Sequence, residues 1–143
     1  MGKLPKIKSA SKEKKLAWSW FSKYIRARDC INSTGSIEQG NCYTCGALKG
    51  FKELQSGHFI PGRTNNLLFD EEQVHAQCYH CNIGLQGAWP EYLKHMREDF
   101  GNKEVDKMLR NKGRVVKYTA LDYEELKSRF KHDYEALVES CKY

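Results

Sequence analysis

The sequence predicts a small α+β domain stapled by a metal clip and flanked by helices. Three observations carry that reading. Apolar residues recur at three- and four-residue spacing near each end of the chain. Two Cys-x2-Cys pairs, Cys42/Cys45 and Cys78/Cys81, bracket its middle. Between the pairs lie short strand-like runs broken by turn residues, with too few apolar side chains to hold themselves together. At 143 residues the chain is one ordinary domain in size. We expect a flexible basic arm over 1–10, the main domain with its first helix over 11–112, and a helical extension over 113–143 packed on that domain.

Each element has its own signal. SKEKKLAWSWFSKYIRARD, residues 11–29, reads as a helix with Ser11 as N-cap and a stripe of Leu16, Trp20, Phe21, Tyr24 and Ile25. INSTGSIEQGN, 31–41, reads as a loop. FKELQSGHFI reads as a strand running into Ile60, PGRTNN as a turn, and Gln73 to Gln77 as a second strand. YHCNIGLQGAW opens a short helix at the second cysteine pair. PEYLKHMREDFG is another, with Pro90 in its first turn and Gly101 at its end. Residues 102–111 are expected to be helical and GRVVKYT extended. The last helix is expected to be capped by Asp122, with Glu125 three positions on.

The cysteines point to zinc. Two Cys-x2-Cys turns supply four thiolates for a closed tetrahedral site of the structural kind. A redox pair would need only one of them. Cys30 and Cys141 are read as free thiols. Binding energy at such a site is folding energy, which the sparse segment between the pairs needs.

Inside the clip sits His58, between Gly57 and Phe59, its ring on the opposite strand face from the phenyl group. Asn82 follows the second pair directly. Its amide oxygen suits a hard cation, and the start of a helix favours a phosphate. His75 alternates with Gln73 and shares its face. A neutral imidazole, an oxygen-ligated Mg²⁺ or Mn²⁺ and basic residues are what phosphodiester hydrolysis requires. Arg63 is placed to clamp a phosphate. Lys12, Lys14 and Lys15, outside the first helix's apolar stripe, can line the same path.

The charge balance agrees. The formal net charge is +6, and six lysines in the first 15 residues face one acid, Glu13. Such an arm favours a polyanion, nucleic acid above all. No apolar run approaches the ~20 residues of a membrane span, and no apolar stretch follows the basic N-terminus as in a secretory signal. We therefore expect a cytoplasmic protein that does not enter membranes.

Together, C-x2-C, G-H-F-I, a turn and C-x2-C-N resemble the zinc-stapled branch of the HNH nucleases. Their site is a two-stranded hairpin followed by a helix, the ββα-metal motif. More narrowly, WFSKYIRARD, CYTCG, SGHFIPGR, LLFDEEQVHAQCYHCN and LQG are similar, in order and spacing, to the NinG (Rap) recombination proteins of lambdoid phages. The resemblance covers about residues 20–101. It implies a ββα-metal core with His58 as general base and Asn82 on a catalytic divalent metal. Gln73 falls where an Asn usually fixes the loop. Gly57 departs from the pattern, since many HNH enzymes carry an Asp metal ligand there. Asp70, Glu71, His75 or water must then supply that ligand, with Asp70 and His75 favoured. The implied function is a metal-dependent DNA endonuclease acting on branched recombination intermediates in an infected cell's cytoplasm. Partners would be a second copy of the chain and recombination proteins of phage or host. Two rivals are a non-catalytic zinc module on DNA and an RNA-binding zinc protein.

Overall fold

A computed structural model describes residues 9–62 and 64–142; Arg63 and the arm lysines Lys3, Lys6 and Lys8 lie outside them. The first helix, α1, runs from Ala10 to Thr34. It is capped by Ser9, whose hydroxyl accepts from the Lys12 amide at 3.4 Å, and not by Ser11. It also continues past Asp29. Ser33 and Thr34 turn their hydroxyls back onto the Asp29 and Cys30 carbonyls, at 2.8 and 2.9 Å, so neither competes with the helix. Gly35, at φ 79°, ends it in the left-handed conformation. The buried stripe is Ala17, Phe21, Ile25 and Cys30. Leu16, expected in that stripe, is 37% exposed, because the helix turns Ala17 and Trp18 inward instead.

The expected loop after α1 contains a strand. β1 (Gln39–Asn41) pairs antiparallel with β2 (Leu48–Gly50), and the first cysteine pair sits at the tip of this hairpin. A single 3₁₀ turn, Phe51–Glu53, leads into β3 (Leu54–His58). After the one-turn helix α2 (Asn65–Leu68), β4 (Val74–Cys78) returns antiparallel to β3, with Gly57 opposite His75 and His58 opposite Val74. β3 stops at His58 rather than Ile60, and β4 begins one residue later than the sequence pattern indicated. Gln73 accepts from the Phe59 amide at 2.8 Å just beyond the paired strands.

The β3–β4 hairpin has two different faces, because strand side chains alternate. Ser56, Ala76 and Leu54 look toward α1. The Ser56 and Ser22 hydroxyls meet at 2.9 Å, and Leu54 and Ala76 pack on Cys30. The other face, with Gln55, Gly57, His75 and Gln77, looks toward α3 (Trp89–Phe100), whose Tyr92 hydroxyl donates to the Gly57 carbonyl at 2.7 Å. The outer edge of β4 is not left open. Asp29 accepts from the Ala76 amide, Tyr43 N–H donates to the Ala76 carbonyl, and Arg28 donates to the Val74 carbonyl.

Pro90 lies in the first turn of α3, and Gly101 separates it from α4 (Asn102–Arg110). These two helices close a second core of Phe59, Leu67, Tyr92, Met96, Val105 and Met108. The last helix, α5 (Ala120–Ser140), lies along α1, with Phe130 edge-on to Phe21 at 4.8 Å. Its cap is Thr119, not Asp122. Asp122 is the third helical residue and returns a bond to the Thr119 amide, closing a capping box. The molecule is thus mixed helix and small antiparallel sheets around a four-cysteine cluster. No helix among the described residues is long and apolar enough to cross a membrane.

Candidate functional site

The four cysteines converge. One sulfur from each of Cys42, Cys45, Cys78 and Cys81 lies within 4.8 Å of all the others. Two ligands at ~2.3 Å from one tetrahedral ion would sit about 3.8 Å apart, and Cys45 and Cys78 Sγ are 3.7 Å apart. The first pair is shaped by a tight turn in which Gly46, at φ 79°, bonds back to the Cys42 carbonyl. The second straddles the end of β4 and the wide helical turn His80–Gly84, closed by a five-residue bond from Leu85 N–H to the His80 carbonyl.

The thiols are poorly matched to one another without a cation. Burial and neighbouring thiols push Cys81 up to about 12 and raise Cys45. Burial also works against ionising Cys42. The Thr44 hydroxyl and the backbone amides of Cys45, Cys78 and Thr44 outweigh it and bring that thiol down to about 6. The Cys42 thiolate is favoured, and Cys45 and Cys81 resist ionising until a dication joins them. The donor set fits structural zinc.

His58 ends β3 on the α1 side. Its ring stacks on Trp18 with centroids 5.2 Å apart and planes 17° apart. Nε2 lies 3.3 Å from the Leu68 carbonyl. A carbonyl only accepts, so Nε2 carries the proton and Nδ1 keeps its lone pair. Burial lowers the imidazole pKa below its ordinary value, partly opposed by the Leu68 contact. The ring opens onto a cleft of about 630 Å³ whose rim includes Ser11, Lys14, Lys15 and Gly62. Lys12 is exposed on α1 outside that rim.

Asn82 lies in the helical turn directly after Cys81, on the other face of the hairpin. Its amide N–H donates to Gln55 Oε1 at 2.8 Å, which leaves Oδ1 directed at Gly57. Asp70 is elsewhere. Its carboxylate accepts from the Gln73 side-chain amide at 2.8 Å and from the Glu72 backbone at 2.9 Å, beside Glu104 and Lys107. His75 is 8% exposed, stacked on Tyr43 at 4.0 Å, with Nδ1 3.3 Å from the Tyr92 hydroxyl. Among the described residues no hydrogen bond joins His58, Asn82, His75 and Asp70 to one another.

A family model described as the bacteriophage lambda NinG protein matches residues 2–139. The chain belongs to the NinG family. No curated protein and no solved structure matches it. The NinG match spans α1, both hairpins, the cysteine cluster and nearly all of α5, well beyond the segment whose motifs resemble the family. Sequence reasoning about this NinG chain missed two residues that shape the site. Trp18, which floors the His58 cleft, was not among the residues of the expected apolar stripe. Gln77 was read only as the end of the second strand, yet it is wholly buried against Gly57.

Proposed function

We propose that this NinG-family chain is a metal-dependent DNA endonuclease of HNH type, acting on branched DNA during phage recombination. The observation that carries the reading is His58. It ends the first strand of a hairpin whose second strand leads through the cysteines to Asn82 and a helical turn, the chain order of a ββα-metal site. Its ring is locked by Trp18 and Leu68, its Nδ1 has no hydrogen-bond partner among the described residues, and its cleft is edged by Lys14 and Lys15. Held neutral by burial, it accepts the proton of an attacking water through Nδ1, and the lysines hold the phosphate backbone. A bound Mg²⁺ or Mn²⁺ would supply charge neutralisation at the leaving oxygen. Asn82 Oδ1 would be a ligand of that cation, reached from the other face of the hairpin. The four cysteines hold zinc and fix where Asn82 emerges. The working place would be the host cytoplasm, with a second copy of the chain and other recombination proteins as partners.

A zinc module that binds DNA or RNA without cutting is the second reading. It is favoured by Asp70, whose carboxylate is tied to Gln73, and by His58 and Asn82 lying on opposite faces of the β3–β4 hairpin.

Cleavage of matched linear, single-stranded and four-way-branched DNA, and of RNA, separates the two. With Mg²⁺ or Mn²⁺ the wild type nicks branched DNA, and EDTA stops it. His58→Ala lowers the rate about 10²–10⁴-fold with zinc content unchanged. Binding without cleavage, indifferent to His58→Ala, would establish the module instead.

A further inference from the structure

Among the described residues, only Gln73 Oε1 and Gln77 Oε1 are buried side-chain oxygens with no hydrogen-bond partner. Gln77 is wholly buried in β4, and its amide cannot simply be turned round. The nitrogen end donates to the Gly87 carbonyl at 2.9 Å and to the Thr44 hydroxyl at 3.1 Å. A carbonyl accepts only, so the nitrogen must stay there. Oε1 is therefore held against Gly57.

The space it occupies is where a side chain at position 57 would begin. A Cβ placed on Gly57 would lie 1.8 Å from Gln77 Oε1 and 3.1 Å from Asn82 Oδ1. Two amide oxygens on different elements, one from β4 and one from the turn after Cys81, thus converge on one point. Asn82 is half-buried, whereas Gln77 is wholly enclosed. An unpaired buried carbonyl dipole beside a second amide oxygen attracts a hard cation.

We infer that Gln77 Oε1 and Asn82 Oδ1 are the protein's paired ligands for a single hard divalent cation, Mg²⁺ or Mn²⁺. Gln77 stands in for the side chain that Gly57 lacks. The use of this cation in cleavage rests on the nuclease reading; the site itself does not. Both donors are neutral, so water completes the shell of a cation bound to the free protein, and a substrate phosphate can replace that water. Gln77 is also one bond from the zinc cluster, because Thr44 contacts Cys42 Sγ at 3.4 Å. The zinc staple therefore holds both oxygens, Asn82 through Cys81 and Gln77 through Thr44.

The test is Mn²⁺ binding to zinc-loaded protein, followed by the electron paramagnetic resonance signal of free Mn²⁺. Wild type takes up one Mn²⁺. Gln77→Ala weakens that uptake by on the order of 10-fold. Gly57→Asp combined with Gln77→Ala puts a carboxylate into the vacated space and restores or tightens it. Unchanged Mn²⁺ affinity in Gln77→Ala, no uptake by wild type, or no recovery in the double variant would each overturn the assignment. Should Gln77→Ala fail to retain zinc, Asn82→Asp in the wild-type background carries the test. It must tighten Mn²⁺ binding, and no change overturns the proposal. Mn²⁺ bound through Gln77 without DNA cleavage would keep the site and reject the nuclease. Cleavage persisting in Gln77→Ala with unaltered Mn²⁺ affinity would do the reverse.

Discussion

His75 is a base buried where it cannot easily take a proton. Tyr43 covers one face of its ring, Phe100 lies nearby, and the Tyr92 hydroxyl meets Nδ1. Burial, only partly opposed by Asp29, brings its pKa from 6.5 down to about 4. The unfolded chain therefore binds a proton that the folded chain refuses between those values. Stability from the neutral ring is complete above pH 6.5 and is lost as pH falls toward 4, by about 3 kcal/mol at most. Urea unfolding midpoints of zinc-loaded protein should fall from pH 7.5 to pH 5, and His75→Phe should flatten that slope. An equal slope in the variant would place the acid sensitivity elsewhere, His58 being next because its pKa is displaced the same way. At this scale the sequence was legible where spacing alone encodes geometry. Four cysteines in two pairs announce their cluster, whereas the strand read as running to Ile60 ends at His58. Gln77 was not legible. A glutamine in a strand reads as surface, and its burial follows only from the register that sets it opposite Gln55, one position from the empty side of Gly57.

Zinc acts on elements rather than on single residues. β1 and β2 are three residues each and contribute almost nothing to either apolar core. Their hairpin and the His80–Gly84 turn are joined through the cysteines. Chelation, or Cys81→Ser, should therefore release the hairpin and the turn and lower the melting temperature by ~10 °C or more. α1 and α5, which share a separate core, should keep most of the far-ultraviolet helical signal. Simultaneous loss of all helix at zinc removal would show that the two regions are not independent. This division explains what pattern reading recovered. Long helices came through because many periodic residues vote together, although their ends did not. Ser9 over Ser11 and Thr119 over Asp122 were decided by which hydroxyl reached an amide two or three residues on. QGN and LKG carry no alternation at all, so β1 and β2 are set by the cysteines they present and not by strand propensity.

For the molecule as a whole, α5 is the closure. Phe130 inserts between Phe21 and Tyr24 of α1, and Lys127 reaches the buried Glu13 carboxylate at 3.1 Å. The same cluster includes Phe69 and Val74, which frame the loop before β4. Phe130→Ala should cost about 3–5 kcal/mol in denaturant unfolding. It should also loosen the His58 cleft, since Phe21 packs on Trp18, which in turn stacks on His58. A variant that unfolds early yet leaves zinc bound and the Trp18 fluorescence environment unchanged would contradict that coupling. Of the site, the cysteine cluster was readable from spacing, and His58 and Asn82 were singled out one by one. Their arrangement on two faces of one hairpin was not, because it depends on which helix covers which face.

The pairing of α1 with α5 also has a consequence in time. Glu13 and Lys127 are 114 positions apart. At 5–20 residues per second, a ribosome makes the first on the order of ten seconds before the second. Through that interval the part of the first helix that Phe130 covers has no permanent partner. The cysteine cluster, complete by Cys81, can form earlier and gather the middle of the nascent chain while the first helix waits for the last.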